Sequence, residues 1–530
     1  MKKLVREKIV VGAIFLVLMG MFTYSLSLNW IRGNGDTAFL SELTENIANS
    51  GIASSHILSS SHELQIAVGI YGMKADDIVG LPLNATDYHN EYVLKYHTYF
   101  ILYLLAPLNW ILPTHILLPF LTAISFLGML YFLYYFLRKN NVSILGSWLL
   151  CFVVSAHPAW NYAIYGELYV DRFFLLLGFV YVLSIHIRKP NYYLIGFIGV
   201  LCLISNDRIG LYTGAFSIGY SVLYFKKTRI NFSIFIFCFG VFSIAYAIFA
   251  MKVLLSKVGA GGTYDSWLTI SVLTNFLNYL KNYPNAYNNV ILFALINILI
   301  LLVLFPFGWR AIVIALGSMI PNILGNIGGA EKTGWATHYH SSYFPFFVWA
   351  IAVSFIEMHH LQTRFRYYRI LLYSFTFFVA LLYLFLFPFA IQKKQFSLSQ
   401  KNDYALFKTV EAMLMGKNHP SYRYYETAKR IREAIPEGSI VSTVYSATTY
   451  FYQKRRVYYY PLAVDDADYV VLTHGDLKEI PPKYNVWVNY DPEENIKMNE
   501  FLNERLLKKG YDIYHPEVFD FDYVVIKRKK

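Results

Sequence analysis

Apolar stretches as long as a bilayer is thick recur along this chain, and they restrict its fold more than any other feature. Residues 9–28, 115–137, 230–251 and 370–392 each run without Lys, Arg, Asp or Glu. About 20 apolar residues in a helix cross the roughly 30 Å hydrocarbon core, where each backbone polar group must find its partner inside the segment. Only 15% of the 530 residues are charged and 56% are hydrophobic, whereas soluble chains carry roughly 25% charged residues. The bilayer is therefore the expected solvent for most of the fold.

The net charge of +12 suggests a nucleic-acid surface only until its distribution is followed. Residues 1–392 hold 24 Lys and Arg against 15 Asp and Glu. The basic residues gather in short runs between apolar segments: Lys2, Lys3, Arg6 and Lys8, then Arg138-Lys139, Arg188-Lys189, Lys226-Lys227 with Arg229, Arg310, and Arg364, Arg366 and Arg369. Loops that keep Lys and Arg are cytoplasmic by the positive-inside rule, so the pattern argues for a membrane topology and against nucleic acid. Cys151, Cys202 and Cys238 all fall in apolar segments, which leaves no disulfide framework and no zinc motif. The first apolar stretch lacks an Ala-x-Ala cleavage site and reads as a retained anchor.

With a cytoplasmic N-terminus, eleven crossings put each of these basic runs inside. The expected helices cover residues 9–28, 115–137, 143–158, 169–187, 191–206, 207–225, 230–251, 287–305, 310–328, 341–358 and 369–392. The transmembrane region is then 1–392, with outer loops at 29–96, 159–168, 256–286 and 329–340. Residues 98–112, bracketed by Pro107 and Pro113, suit an interfacial or re-entrant helix. Residues 393–530 carry 22 basic and 19 acidic residues and interleave helical with alternating patterns, which predicts a small soluble α/β domain outside the membrane. The fold class is a polytopic α-helical membrane protein with that C-terminal domain.

Candidate chemistry concentrates on the outer side. Asp36 follows Gly33-Asn34-Gly35 and opens a helical pattern in which Phe39, Leu43 and Ile47 share a face until Gly51. It is placed to cap that helix, and equally to act as a general base or hold a divalent metal ion at the membrane surface. Glu167 and Asp171 border the fourth helix, and Asp207 with Arg208 forms the turn between the fifth and sixth; ionisable groups at such depth are functional candidates by default, although the Asp207–Arg208 pair can also serve only to neutralise itself. His97, His338 and His340 are candidates for phosphate or metal contacts, or for headgroup anchoring beside Tyr339. Arg32, Lys95 and Lys332 supply positive charge for an anionic lipid phosphate, or snorkel to the interface. The runs 454–456 and 465–468 read as solvated turns.

Four landmarks appear in one order along nearly the whole chain: Asp36 opening a helix that ends at Gly51; His97 ahead of Leu104-Leu105-Ala106-Pro107-Leu108; His338-Tyr339 ahead of Pro345-Phe346; and a tail with Ile435-Pro436, Ser442, Ala447, Arg455-Arg456 and Asp466-Ala467-Asp468-Tyr469-Val470-Val471-Leu472. Their order resembles the bacterial membrane-protein family called domain of unknown function 2079, placed near the GT-C glycosyltransferases. Two stretches depart from that pattern. Tyr165-Gly166-Glu167-Leu168-Tyr169 stands where the family has Asp-Phe-His-Pro, and Ser205-Asn206-Asp207 where it has Lys-Glu-Asp, so Glu167 and Asp207 match less directly than Asp36, His97 and His338.

The resemblance implies a GT-C-like transferase in a bacterial plasma membrane that moves a sugar from a polyprenyl-phosphate carrier to a glycan, lipid or protein acceptor on the extracytoplasmic face. Asp36 would then take the acceptor proton, with His97, His338 and nearby cations facing the departing phosphate. The competing expectation is a non-enzymatic membrane protein, either a lipid-linked glycan transporter or an assembly scaffold. Transporters place ionisable or helix-breaking residues near the bilayer midplane, often in repeated halves; here the acidic residues gather at helix ends and no repeat is visible.

Overall fold

The computed structural model describes residues 2–30, 35–57, 83–85, 91–92, 97–157, 169–187, 189–255, 274, 277, 280–281, 286–324, 338–361, 366–386, 405–419, 422, 425–426, 429–430, 433–443, 447–452, 455–473, 497, 504–506, 508–513 and 523–528. Most of them are helical. The apolar stretches become α1 (Lys2–Trp30), α4 (Thr114–Lys139), α5 (Ile144–Ala156), α6 (Phe174–His186), α7 (Tyr192–Leu203), α8 (Ile209–Leu223), α9 (Ile230–Phe249), α10 (Ala286–Leu324), α11 (Phe344–Leu361) and α12 (Arg366–Leu381). Between α1 and α4 lie α2 (Gly35–Ser50) and α3 (Ile101–Leu105), which continues as a 3-10 helix over Ala106–Trp110. Four spans are long and apolar enough to cross a membrane, Glu7–Leu28, Thr114–Lys139, Ile230–Leu254 and Asn297–Ile320. Shorter apolar helices stand at Ile101–Trp110, Ile144–Ala156, Tyr192–Leu203, Ile209–Leu223, Phe344–His360 and Tyr373–Leu384.

Several boundaries differ from the sequence pattern, each for a local reason. The two helices expected at 287–305 and 310–328 form one element, α10, broken where Gly308 leaves helical geometry at φ −130° and ψ 35°. A 3-10 turn, Val170–Phe173, precedes α6, and the chain turns through 204–208 before α8 begins at Ile209. Asp171 and Asp207 therefore sit in turns outside the helices. Two helices start where a polar side chain takes over a free N–H group: Ser143 accepts from the Gly146 N–H at 3.1 Å ahead of α5, and Asn191 accepts from the Leu194 N–H at 3.2 Å ahead of α7. At the opposite end of α4, Arg138 holds Glu7 of α1 through two hydrogen bonds of 2.5 and 3.0 Å.

The pairing of α8 with α9 shows how a membrane bundle closes without a hydrophobic driving force. Gly210 and Gly214 are spaced as in the small-xxx-small pattern that lets two helix backbones approach. A Cβ at Gly210 would stand 2.4 Å from the Ser243 carbonyl oxygen, and one at Gly214 would stand 2.8 Å from that of Gly240. No side chain larger than hydrogen fits between these backbones.

A second core joins distant parts of the chain. Phe39, Leu43 and Ile47 of α2 are buried together with Leu102 of α3, Leu117 of α4 and Phe173, and with Tyr450, Val457, Tyr458 and Val470 near the C-terminus. The C-terminal residues form a five-stranded sheet from β3 (Ile440–Thr443), β4 (Arg456–Tyr459), β5 (Tyr469–Thr473), β6 (Tyr511–Ile513) and β7 (Tyr523–Arg528), in the order β4-β3-β5-β7-β6. β3 runs parallel to β4 and β5, while β7 runs antiparallel to β5 and β6. A two-residue ladder, β1 (Ser54–Ser55) with β2 (Glu91–Tyr92), follows α2. The helices α13 (Ala405–Met415) and α14 (Thr448–Phe451) complete this part of the fold, α13 against α1 and α14 against α2.

Of the charge runs expected to be solvated, Arg456 is exposed and Lys454 lies outside the described residues, while the other charges are held by the fold. Arg455 is buried and donates to the Ile435 carbonyl, and Asp465 is buried in an ion pair with Arg505. Asp466 accepts from the Ala85 N–H at 2.5 Å, and Asp468 from the Ile440 N–H at 2.9 Å. Their partners lie too far off in sequence to show in a local pattern.

Candidate active site

The charged groups that the fold brings together sit at the end of the bundle that carries α2. The approach to α3 is pinned first: the Ile101 N–H donates to the Ile204 carbonyl at 2.9 Å, which lays residues 97–101 along the 204–208 turn. Asn206 shapes that turn in the manner of an Asx-turn, its Oδ1 accepting from the Arg208 N–H at 2.9 Å. Its Nδ2 donates to Asp171 Oδ1 at 2.5 Å and so ties the turn to the one ahead of α6. Within this frame the Asp207 carboxylate, fully buried, has His97 Nδ1 at 3.5 Å on one oxygen and Arg208 Nε at 3.9 Å on the other. The His97 ring stacks on Tyr99 with centroids 4.8 Å apart. Arg172 and Arg208 are buried beside the two carboxylates.

Burial of two carboxylates and two guanidinium groups is expensive unless they compensate one another, and the two acids are compensated differently. Burial pushes the Asp171 carboxyl up to about 6, although the Arg208 charge opposes it. Burial also raises Asp207, but His97 and Arg208 outweigh it and hold this carboxyl below its ordinary range. Two neighbouring acids whose environments pull their proton affinities apart can divide acid and base roles. The ion pairs around Asp207, at 3.5 and 3.9 Å, are longer than the roughly 2.7–2.9 Å of tight charge-assisted bonds.

The remaining sequence candidates fall in different places. His340 is buried, its Nδ1 lies 3.0 Å from the Tyr343 hydroxyl, and that hydroxyl donates to Asn297 Oδ1 at 3.1 Å. The 3-10 turn that holds it, His338–Ser342, packs against the turn of Asp171 and Arg172. Asp36 belongs to the first turn of α2 and His338 to the start of that 3-10 turn, but both side chains lie outside the described residues. Arg32, Lys95, Glu167 and Lys332 also lie outside them. Among the described residues no group of three or more His, Cys, Asp or Glu side chains is arranged to hold a metal ion.

Arg172 and Asn206 were not legible as site residues, and Asp171 was visible only as a charge bordering a helix. The signal was present in the adjacent Asp171-Arg172 pair ahead of an apolar run. What it lacked was a partner, which the fold supplies from residues 97 and 206–208.

No curated protein matches the chain. The family model described as "Predicted membrane protein (DUF2079)" matches residues 55–520, which takes in α3 to α14, the His97 cluster and strands β3 to β6 of the sheet. This chain belongs to the DUF2079 family of predicted membrane proteins.

Proposed function

We infer that the protein is a membrane glycosyltransferase of GT-C type, which transfers a sugar from a polyprenyl-phosphate carrier to a glycan, lipid or protein acceptor. The observation that carries this reading is the cluster of buried Asp171, Arg172, Asp207 and Arg208 with half-buried His97. It combines cations suited to a phosphate with carboxylates of divided proton affinity, and it lies in turns at helix ends. In the topology proposed here the chain crosses a bacterial plasma membrane eleven times, with this end and the C-terminal α/β domain on the extracytoplasmic side. A transporter would hold its ionisable groups nearer the midplane.

In the reaction, the acceptor oxygen bonds to the anomeric carbon while that carbon's bond to the phosphate oxygen breaks, its electron pair leaving with the polyprenyl phosphate. A carboxylate takes the acceptor proton. Asp36 is assigned this role as the acid in the first turn of α2. His97, Arg172 and Arg208 face the charge that develops on the departing phosphate, with His338, His340, Arg32, Lys95 and Lys332 as further phosphate contacts.

The test is purified protein in lipid nanodiscs with radiolabelled polyprenyl-phosphate sugars. Transfer to an acceptor, or release of the sugar to water, is expected from the native chain and is lost in Asp36→Asn and Arg208→Ala with folding intact. Full activity in Asp36→Asn removes that residue from the mechanism; inertness toward every such donor refutes the assignment.

A further inference from the structure

A second site lies between α2 and the sheet, away from the His97 cluster. The apolar side of α2 is buried in the second core, and its polar residues Glu42, Glu45, Asn46 and Asn49 follow at the three- and four-residue spacing of one helix face. That face lines a cavity of about 580 Å³, within the roughly 300–1,000 Å³ of small-molecule sites. The opposite wall comes from Tyr452, from Arg455 and Arg456 at the edge strand β4, and from Gly438. Gly438 turns at φ +80°, which brings backbone to the rim where a side chain would be strained.

Most of the charges in these walls are already engaged. Glu42 accepts from Ser55 Oγ at 2.6 Å and from the His56 and Ile57 N–H groups at 3.2 Å, with His56 Nδ1 at 3.1 Å. Glu45 accepts from Thr114 Oγ1 at 2.9 Å and the Tyr452 hydroxyl at 3.4 Å, and Arg455 donates to the Ile435 carbonyl. Between these charges the amides of Asn46 and Asn49 and the hydroxyl of Ser50 also line the cavity. Asn46 uses its Nδ2 on the Ser54 carbonyl at 2.8 Å, while its Oδ1 has no partner among the described residues. Asn49 and Arg456 are exposed at the rim.

We propose that this cavity binds a short neutral oligosaccharide. Amides and hydroxyls that both donate and accept match the paired hydroxyls of a sugar chain. A polyanion would meet Glu42 and Glu45, and a polycation would meet Arg455 and Arg456, so the mixed lining selects against both. Within the transferase reading this is an acceptor site, but binding is measured without any lipid-linked donor; failure here leaves that reading standing, and absence of transfer leaves this one standing.

The experiment is saturation-transfer NMR and calorimetry on the full-length protein in nanodiscs, with chitotriose, mannotriose and maltotriose as neutral probes and trigalacturonate as the acidic one. At least one neutral trisaccharide should bind, with trigalacturonate at least tenfold weaker. Asn49→Trp, which fills the rim from an exposed position, and Arg456→Ala should each weaken that binding at least tenfold without a change in unfolding temperature. The proposal is overturned if no neutral trisaccharide binds, if trigalacturonate binds as well, or if both variants bind as the native chain does.

Discussion

Gly210→Ala puts one methyl group where α8 and α9 touch, and the structure gives the size of the effect. The new Cβ would stand 2.4 Å from the Ser243 carbonyl oxygen and 2.9 Å from the Ala247 Cβ. Neither is the tip of a flexible side chain, so the helices have to separate by about 0.6 Å to restore the 3.0 Å limit of real Cβ contacts. Overpacking of this kind costs about 1–3 kcal/mol, while replacing Gly by Ala in a helix returns about 1 kcal/mol. The expected balance is a destabilisation of up to about 2 kcal/mol. Gly196→Ala in α7 is the matched control: a Cβ there meets nothing within 4 Å, so only the favourable propensity remains. Thermal unfolding in detergent, followed by intrinsic tryptophan fluorescence, should lower the midpoint for Gly210→Ala and raise it slightly for Gly196→Ala. Equal shifts in the same direction would refute the reasoning. Because Gly210 stands two residues after Arg208, its displacement should also weaken any activity of the Asp207 site.

Four further outcomes are expected. Asp207→Ala leaves Arg208 buried beside a missing partner and should destabilise by about 3 kcal/mol, measured by the same unfolding assay. The Asp171 carboxyl is raised to about 6 in the fold, so the folded state holds its proton more tightly than the unfolded chain; its contribution to stability is complete below the ordinary aspartate range and is lost as pH climbs toward 6. Unfolding midpoints measured from pH 4 to 7 should therefore show a downward component that Asp171→Asn abolishes. Glu42→Ala removes the acceptor of Ser55 Oγ and of two N–H groups, at about 2–3 kcal/mol, and hydrogen exchange at residues 54–57 should accelerate. Glu7→Ala removes the bonds to Arg138 and to the Tyr134 hydroxyl; because these groups are partly exposed the loss should be about 1 kcal/mol, seen as a small drop in unfolding temperature.

Helix positions were legible because they depend on local apolar runs. A helix stands in each expected segment, and β3, β5 and β7 fall in the tail whose alternating patterns predict strands. β4 escaped because Arg455 and Arg456 look like a solvated turn until Arg455 meets the Ile435 carbonyl. β6 escaped because three residues are too few to show a period. At the site, His97 and Asp207 were each visible as isolated polar residues, but the 3.5 Å contact between them joins segments more than a hundred residues apart. Asp465 taught the same lesson in the opposite direction, since the acid run around it is held by Arg505. Local pattern reports which segments leave water; it does not report which charges will compensate one another once they have.

The core that α2 shares with the sheet also sets an order of assembly. The Ala85 N–H meets Asp466 across 381 residues, and the Tyr452 hydroxyl meets Glu45 across 407. At roughly 5–20 residues per second, a ribosome needs about 20–80 s to supply the second partner of the first pair. Throughout that interval Phe39, Leu43 and Ile47 lack the strands that cover them, while α4 to α12 are being synthesised. A chain cut short before residue 440 would keep its apolar helices and still present this uncovered face, a form that quality-control proteases can recognise even though its membrane segments are intact.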